Sequence, residues 1–158
     1  MQAMRIYLDT SVFGGCLDNE FSEDSNRLIS AIQAGQFVCL ISDLILDELA
    51  QAPQKVRKIL DSLPPEVRER VELSAEILAL RDGYLAANIL GERFRADATH
   101  VAAATVAGAD AIVSWNFRHI VRLDKIKAYN QVNLQHGFHV LTILSPQEVL
   151  PDVPDENE

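Results

Sequence analysis

Three carboxylates in this sequence stand where a fold would otherwise place apolar filler. Asp9 ends the apolar run Ile6-Tyr7-Leu8 and is followed at once by Thr10-Ser11. Burying an unpaired carboxylate is costly unless it is paired, hydrogen-bonded or bound to a metal, so a charge at that position needs a partner. If Ile6 to Leu8 form a buried parallel strand, Asp9 lies at its carboxyl end, where open α/β sheets place their ligands. Glu48 lies in Leu44-Ile45-Leu46-Asp47-Glu48-Leu49-Ala50, a helix that starts just after a second apolar run. Asp97 opens the segment Asp97-Ala98-Thr99-His100-Val101-Ala102-Ala103-Ala104. Set at or near the carboxyl edge of one sheet, the three side chains point into a shared cleft.

A hard divalent cation is the physical reason for such a cluster. Mg²⁺ or Mn²⁺ prefers oxygen ligands and keeps several waters, so a few carboxylates plus a substrate phosphate suffice. Without a metal the carboxylates repel, and one of them tends to take up a proton. With one, a phosphoryl oxygen is polarised, a water is activated and the leaving oxygen is stabilised. That is the chemistry of phosphodiester hydrolysis. Taken singly, each residue has a plainer reading: Asp9 a turn former or helix cap, Glu48 a solvated helix face like Asp47, Asp97 a helix start that uses the dipole.

The elements that must position these residues alternate between strand and helix signals. Met4 to Leu8 reads as a strand, and Thr10 to Phe21 as a loop in which Gly14-Gly15 is a flexible turn. Ser22 reads as the cap of a helix running to about Ala34, which Gly35 stops. Phe37 to Ile41 is a second strand, Ser42 the cap of a helix from Asp43 to about Gln51, and Gln54 to Leu63 a further helix that Pro64-Pro65 interrupt. Glu66 begins more helix, followed by an apolar-periodic stretch from Ser74 to Leu90. Ala96 to Ala107 reads as an alanine-rich helix, Ala111 to Ser114 as a strand, Ile120 to His136 as a helix, and Phe138 to Leu144 as a final strand. Short apolar strands separated by helices predict an α/β fold, a three-layer α/β/α sandwich around a mostly parallel sheet. No internal repeat or linker divides the chain, so residues 1–150 are expected to form one domain, followed by an acidic, disordered tail over 151–158.

The bulk numbers fit that picture. At 158 residues, 48% hydrophobic and 23% charged, the chain is long enough for a real core and has the composition of a soluble globule. No apolar stretch approaches the ~20 residues that span a bilayer, and no signal-peptide pattern opens the chain. Cys16 and Cys39 lack disulfide or metal spacing, so the expectation is reduced thiols in the cytoplasm. The net charge of −9 argues against nucleic-acid binding driven by overall charge. Four of the acidic residues fall in the tail, however, and a catalytic cluster accounts for more, so local basic patches remain open.

Four segments taken in order resemble the PIN domain family: Tyr7-Leu8-Asp9-Thr10-Ser11-Val12, Ile45-Leu46-Asp47-Glu48-Leu49, Ala96 to Ala104, and Ala109-Asp110-Ala111-Ile112-Val113-Ser114-Trp115-Asn116. The likeness spans roughly residues 4 to 144 and is nearest to the small single-domain PIN proteins, of which the VapC toxins of bacterial toxin–antitoxin pairs are the best known. The resemblance implies a Mg²⁺- or Mn²⁺-dependent endoribonuclease, a homodimer, and inhibition by a small antitoxin protein. It assigns Asp9, Glu48 and Asp97 to the first three acidic positions of the family. The fourth follows a later strand in a Thr/Ser-x-Asp pattern, which here is Ser114-Trp115-Asn116, with an amide in place of the acid. An amide oxygen can ligate a metal or orient a water without adding charge, which implies weaker metal binding and disfavours a second ion. Asp110 does not substitute, because it lies at the opposite end of that strand.

Around this set, Thr10, Ser11 and Ser114 are candidates to hydrogen-bond a ligating carboxylate or a substrate phosphate, or simply to cap turns. Arg93, Arg95 and Arg118 are the natural contacts for RNA phosphates, with solvated loop charge as the alternative. His100 reads as a buried structural histidine, and Trp115 as partly buried. The competing function is a catalytically degenerate PIN-fold module that binds RNA or protein. An aspartyl phosphatase is disfavoured because Ser11 stands where the second acid is needed.

Overall fold

The computed structural model describes residues 2–151, and the acidic tail expected over 151–158 lies, apart from Pro151, outside the described residues. The chain opens with β1 (Met4–Leu8), whose Ile6, Tyr7 and Leu8 are fully buried. α1 (Thr10–Gly15) follows directly, then α2 (Ser22–Gln33), β2 (Phe37–Ser42), α3 (Asp43–Ala50) and α4 (Gln54–Asp61). β3 (Arg68–Val71), α5 (Ala75–Ala86), α6 (Arg95–Val106), β4 (Ala111–Val113), α7 (Leu123–Gln135), β5 (Ile143–Leu144) and α8 (Pro146–Val149) complete the order. Ser42 and Ser74 cap α3 and α5 through their hydroxyls, which accept from Ile45 N and Ile77 N, so the start predicted at Ser42 rests on ordinary N-cap chemistry, as does the start of α5.

All five strands are parallel, in the order β3-β2-β1-β4-β5. β1 is central: Ile6 is in register with Cys39 of β2 and with Ala111 of β4. The chain runs outward from β1 to β2 and β3, then returns to β4 on the other side of β1. That reversal makes the carboxyl ends of β1 and β4 the switch point, where a crevice opens between diverging connections. Helices flank the sheet as an α/β/α sandwich, with α5 packed on α6 and α7, and α2 on α1, β2 and α8. The alanine run of α6 is buried throughout, Ala98 and Ala102 to Ala104 at 0% exposure, and small side chains let this helix lie close to its neighbours. Cys16 and Cys39 are free and buried; burial pushes the first thiol up to about 11 and the second to about 12.

The structure departs from the sequence expectation in four places. Glu66 does not begin a helix: after a 3₁₀ turn (Pro65–Val67) the chain enters β3, an edge strand whose Arg-Glu-Arg-Val sequence lacks an apolar run. Charged edge strands are a common protection against further pairing. The final strand is only two residues long, and Ser22 is the first residue of α2 rather than its cap, since Phe21 holds that position without a side-chain bond. Gly14-Gly15 is not a flexible turn but the end of α1. A Cβ on Gly15 would lie 2.6 Å from Ser25 Oγ and 2.9 Å from Trp115 Nε1, two atoms that hydrogen-bond each other at 2.7 Å. Gly15→Ala is therefore expected to destabilise the fold by about 1–3 kcal/mol, the usual cost of overpacking. Urea unfolding followed by the fluorescence of Trp115, the sole tryptophan, measures it; unchanged stability would show that α1 and Trp115 are not locked together.

Candidate active site

The switch point gathers side chains from four elements. Asp9 occupies the N-cap position of α1, yet its carboxylate makes no cap bond to that helix. It accepts instead from Ser11 Oγ at 2.5 Å and, across the sheet, from Ser114 Oγ at 2.8 Å, while its backbone N–H donates to Val113 O at 3.2 Å. The side chain is 4% exposed. Glu48 projects from the middle of α3, and its Oε1 accepts from Thr10 Oγ1 at 2.8 Å and pairs with His100 Nε2 at 2.5 Å. Asp97 lies in the first turn of α6 and is half-buried.

These three carboxylates act on one another: the charge of Asp97 bears on Asp9, and that of Glu48 on Asp97. Burial pushes the Asp9 pKa up against the opposing hydrogen bonds from Ser11 and Ser114, with the charge of Asp97 adding to the rise. Burial also pushes Asp97 up. At Glu48 burial acts in the same direction, but the His100 and Thr10 hydrogen bonds outweigh it and hold that carboxyl below its ordinary value. Among the described residues no three His, Cys, Asp or Glu side chains close into a cage around one point. Asp9 leans on two serine hydroxyls, and Glu48 on a threonine hydroxyl and an imidazole. Such an arrangement suits a hydrated Mg²⁺-type ion that keeps its waters and shares substrate oxygens, and not a closed, fully liganded site.

Asn116 sits between Asp97 and the loop after β4. Its Oδ1 accepts from the backbone N–H of Arg118 at 3.2 Å and of His119 at 2.9 Å, and its side chain is near enough to Asp97 to favour that carboxyl's ionised form. With the oxygen committed to two backbone donors, the amide NH₂ is the group that faces Asp97. The amide oxygen is thus spent on the turn rather than offered to an ion. Ser114 Oγ accepts from Asn116 N at 2.9 Å and Ser11 Oγ from Trp115 N at 3.0 Å, so the same hydroxyls that hold Asp9 also fix this loop. Trp115, half-buried, stacks on Phe21 at 4.3 Å between ring centroids.

The three arginines separate. Arg95 is ion-paired to Glu92, whereas Arg93 and Arg118 are both exposed and lie over the Phe94 ring, 5.0 and 5.5 Å from its centroid. Beneath that ring, at 3.9 Å, is His119, a residue that the pattern of the sequence does not single out. It is 9% exposed, both ring nitrogens lack a hydrogen-bond partner among the described residues, and burial pushes its pKa down against the pull of Asp97. His100 is buried as expected, but its contact with Glu48 brings it into the site. Nothing in its i, i+3 spacing from Asp97 signals this, because the partner is on another helix.

A family model described as PIN domain matches residues 5–118. The chain belongs to the PIN domain family. PIN domains are typically nucleases, which makes a hydrolase of nucleic acid the coarse assignment. The fold is also that of VapBC2 from Rickettsia felis, solved bound to a DNA fragment from its promoter. The likeness covers 90% of this chain and 98% of that one at 16% identity, with a TM-score of 0.56. No curated protein matches the sequence. Among the described residues of this PIN domain, no helix is long and apolar enough to cross a membrane.

The raised pKa values of Asp9 and Asp97 fix the sign of a pH effect. Both groups bind a proton more readily folded than unfolded, so they favour the fold in acid and oppose it as pH rises through their folded pKa. Asp9→Asn is accordingly expected to melt higher than wild type at pH 7 in the absence of divalent ions. The difference should vanish below about pH 4, where the unfolded aspartate is also protonated. Calorimetric Tm values across that range test this; a variant less stable than wild type at pH 7 contradicts it.

Proposed function

We propose that this PIN domain is a metal-dependent endoribonuclease that hydrolyses RNA phosphodiester bonds. The observation that carries the proposal is the pair Asp9 and Asp97. Asp9 is almost fully buried, Asp97 is half-buried and its charge bears on Asp9, yet among the described residues neither has an ion-pair partner. A fold that keeps two acids in that condition at the edge of its central strand is suited to receive a cation. Asp9, Glu48 and Asp97 would hold a hydrated Mg²⁺ or Mn²⁺, which when bound polarises the phosphate and lowers the pKa of a water. Ser11 and Ser114 keep the Asp9 carboxylate in place, Thr10 does the same for Glu48, and the Asn116 amide steadies Asp97. Arg93 and Arg118 stand free to take RNA phosphates, with Arg95 contributing when it leaves Glu92. The reading extends to a homodimer and to a small protein antitoxin as the inhibitory partner.

One observation favours a second reading, a degenerate module that binds RNA or protein. Asn116 replaces an acid and has its oxygen tied into the turn, so the site holds one negative charge fewer than the family pattern implies.

RNA hydrolysis in Mg²⁺ or Mn²⁺ distinguishes the two. The enzyme loses activity in a chelator, and Asp9→Asn lowers the rate by about 100-fold or more, the scale of several kcal/mol of charge stabilisation. Activity that survives Asp9→Asn intact excludes this mechanism. Asn116→Asp should give a small gain on existing cleavage if the protein is an enzyme, and cleavage from a silent wild type if it is the degenerate module. In either case the new carboxylate faces Asp97, so the metal-free Tm of Asn116→Asp should fall.

A further inference from the structure

Glu48 is the one carboxylate of the three that the fold holds toward its ionised form, and the groups that do so reach well beyond its own helix. Its Oε1 takes two donors, Thr10 and His100. His100 Nδ1 is 2.7 Å from the Tyr7 hydroxyl, and that hydroxyl is 2.7 Å from Ser42 Oγ. Ser42 Oγ in turn accepts from Ile45 N at 3.2 Å as the cap of α3. Tyr7 and Ser42 are at 0% exposure and His100 at 2%.

The direction of each proton follows from what each group can do. The Ile45 N–H uses one lone pair of Ser42 Oγ, and the Ser42 proton has a single neighbour able to accept it, the Tyr7 oxygen. Tyr7 then donates to His100 Nδ1, which must be unprotonated, and the remaining ring proton on Nε2 goes to Glu48. Reversing the chain strands the Ser42 proton in a fully buried site without an acceptor, a state that folded proteins avoid. The hydrogen bond made by one ring nitrogen sets the tautomer at the other.

We infer that Tyr7 and His100 are positioning residues for Glu48: a one-way chain of buried hydrogen bonds runs from the α3 cap through the Tyr7 hydroxyl and the neutral His100 ring to the Glu48 carboxylate, and holds it ready for a divalent cation. The chain joins the end of β2, the middle of β1, α6 and α3, so the carboxylate is referenced to the sheet as well as to its own helix. Both donors use Oε1, which leaves Oε2 without a protein donor among the described residues. The consequence for the cation rests on the function proposed above; the hydrogen-bond chain does not.

Two measurements test it. ¹⁵N NMR of the metal-free protein should show His100 protonated on Nε2 and bare on Nδ1, a pattern that Tyr7→Phe disturbs; a proton on Nδ1 in the wild type overturns the chain. Titration calorimetry with Mn²⁺ should show His100→Leu weakened by about 10–100-fold, the usual effect of losing a group that orients a ligand. His100→Gln, whose amide can donate from near the Nε2 position, should recover most of the loss. A folded His100→Leu protein with wild-type Mn²⁺ affinity overturns the positioning role, as does equal loss in the Leu and Gln variants. If His100→Leu fails to fold, Tyr7→Phe carries the same titration, with a smaller loss expected and unchanged affinity counting against the role. Wild-type protein that binds no Mn²⁺ removes the function proposed above, and the ring tautomer then decides the hydrogen-bond chain alone.

Discussion

The burial of two aspartates that the fold itself does not neutralise is the constraint around which this sheet edge is organised. Asp9 is almost fully enclosed at the end of the central strand, and Asp97 approaches it from the first turn of α6. Desolvation opposes ionisation at both positions, the charge of Asp97 adds to the effect at Asp9, and that of Glu48 adds to it at Asp97. A protein selected for stability alone would replace one of them with an apolar or amide side chain. Keeping both is a cost that a bound cation reverses, because the ion becomes the largest local charge and inverts the pKa logic of its surroundings.

The hydroxyls show how that cost is contained. Ser11 and Ser114 each reach Asp9 from a different segment, one from α1 and one from the end of β4, so the carboxylate spans the crevice between the two strands. The same hydroxyls accept from the backbone of Trp115 and Asn116. Trp115 is then held by Ser25 and Phe21, and its indole leaves no room for a side chain at Gly15. Packing in the α1–α2 layer and the orientation of an acid at the sheet edge are therefore one connected structure. Asn116 belongs to it as well: its oxygen closes the turn on Arg118 and His119, and its amide is turned to Asp97. An acid there would keep the turn but set a third negative group against an already strained pair.

Much of this was legible from residue type and order, for reasons particular to each element. The runs Ile6-Tyr7-Leu8 and Ala111-Ile112-Val113 are apolar throughout because both are interior strands of a parallel sheet, and Ser42 marks a helix start by the chemistry of its hydroxyl. Where the pattern has no apolar run, the reading failed. Arg68 to Val71 is a strand because β2 offers it a free edge, a tertiary fact that no local propensity encodes. Thr10 to Gly15 coils into a helix despite its paired glycines, since Gly15 is needed for close approach and not for a turn. Of the site, the family resemblance names the carboxylates to examine, but the contacts of Tyr7, His100 and His119 join residues 35 to 93 positions apart or depend on burial against Phe94. Spacing along the chain is silent about such contacts.

Charge poses the remaining problem, since a protein of net −9 must attract a polyanion if it is to act on RNA. The overall field opposes approach, and the acids at the crevice oppose it most strongly at the point where a phosphate has to sit. Attraction must then be local. Arg93 and Arg118 are exposed residues whose guanidinium groups lie over the Phe94 ring beside the start of α6. Through Phe94 they stand one turn or less before α6 and its Asp97, while Glu92 holds Arg95 back. A few rim arginines release few counterions, so binding by this face alone is weak and falls with salt. On the proposed function the strong interaction would fall to the centre, where a divalent cation between carboxylate and phosphate would turn mutual repulsion into a bridge. Affinity for the polymer and readiness for chemistry would then depend on the same ion, and a crevice that repels its substrate without that ion has a built-in guard against idle binding.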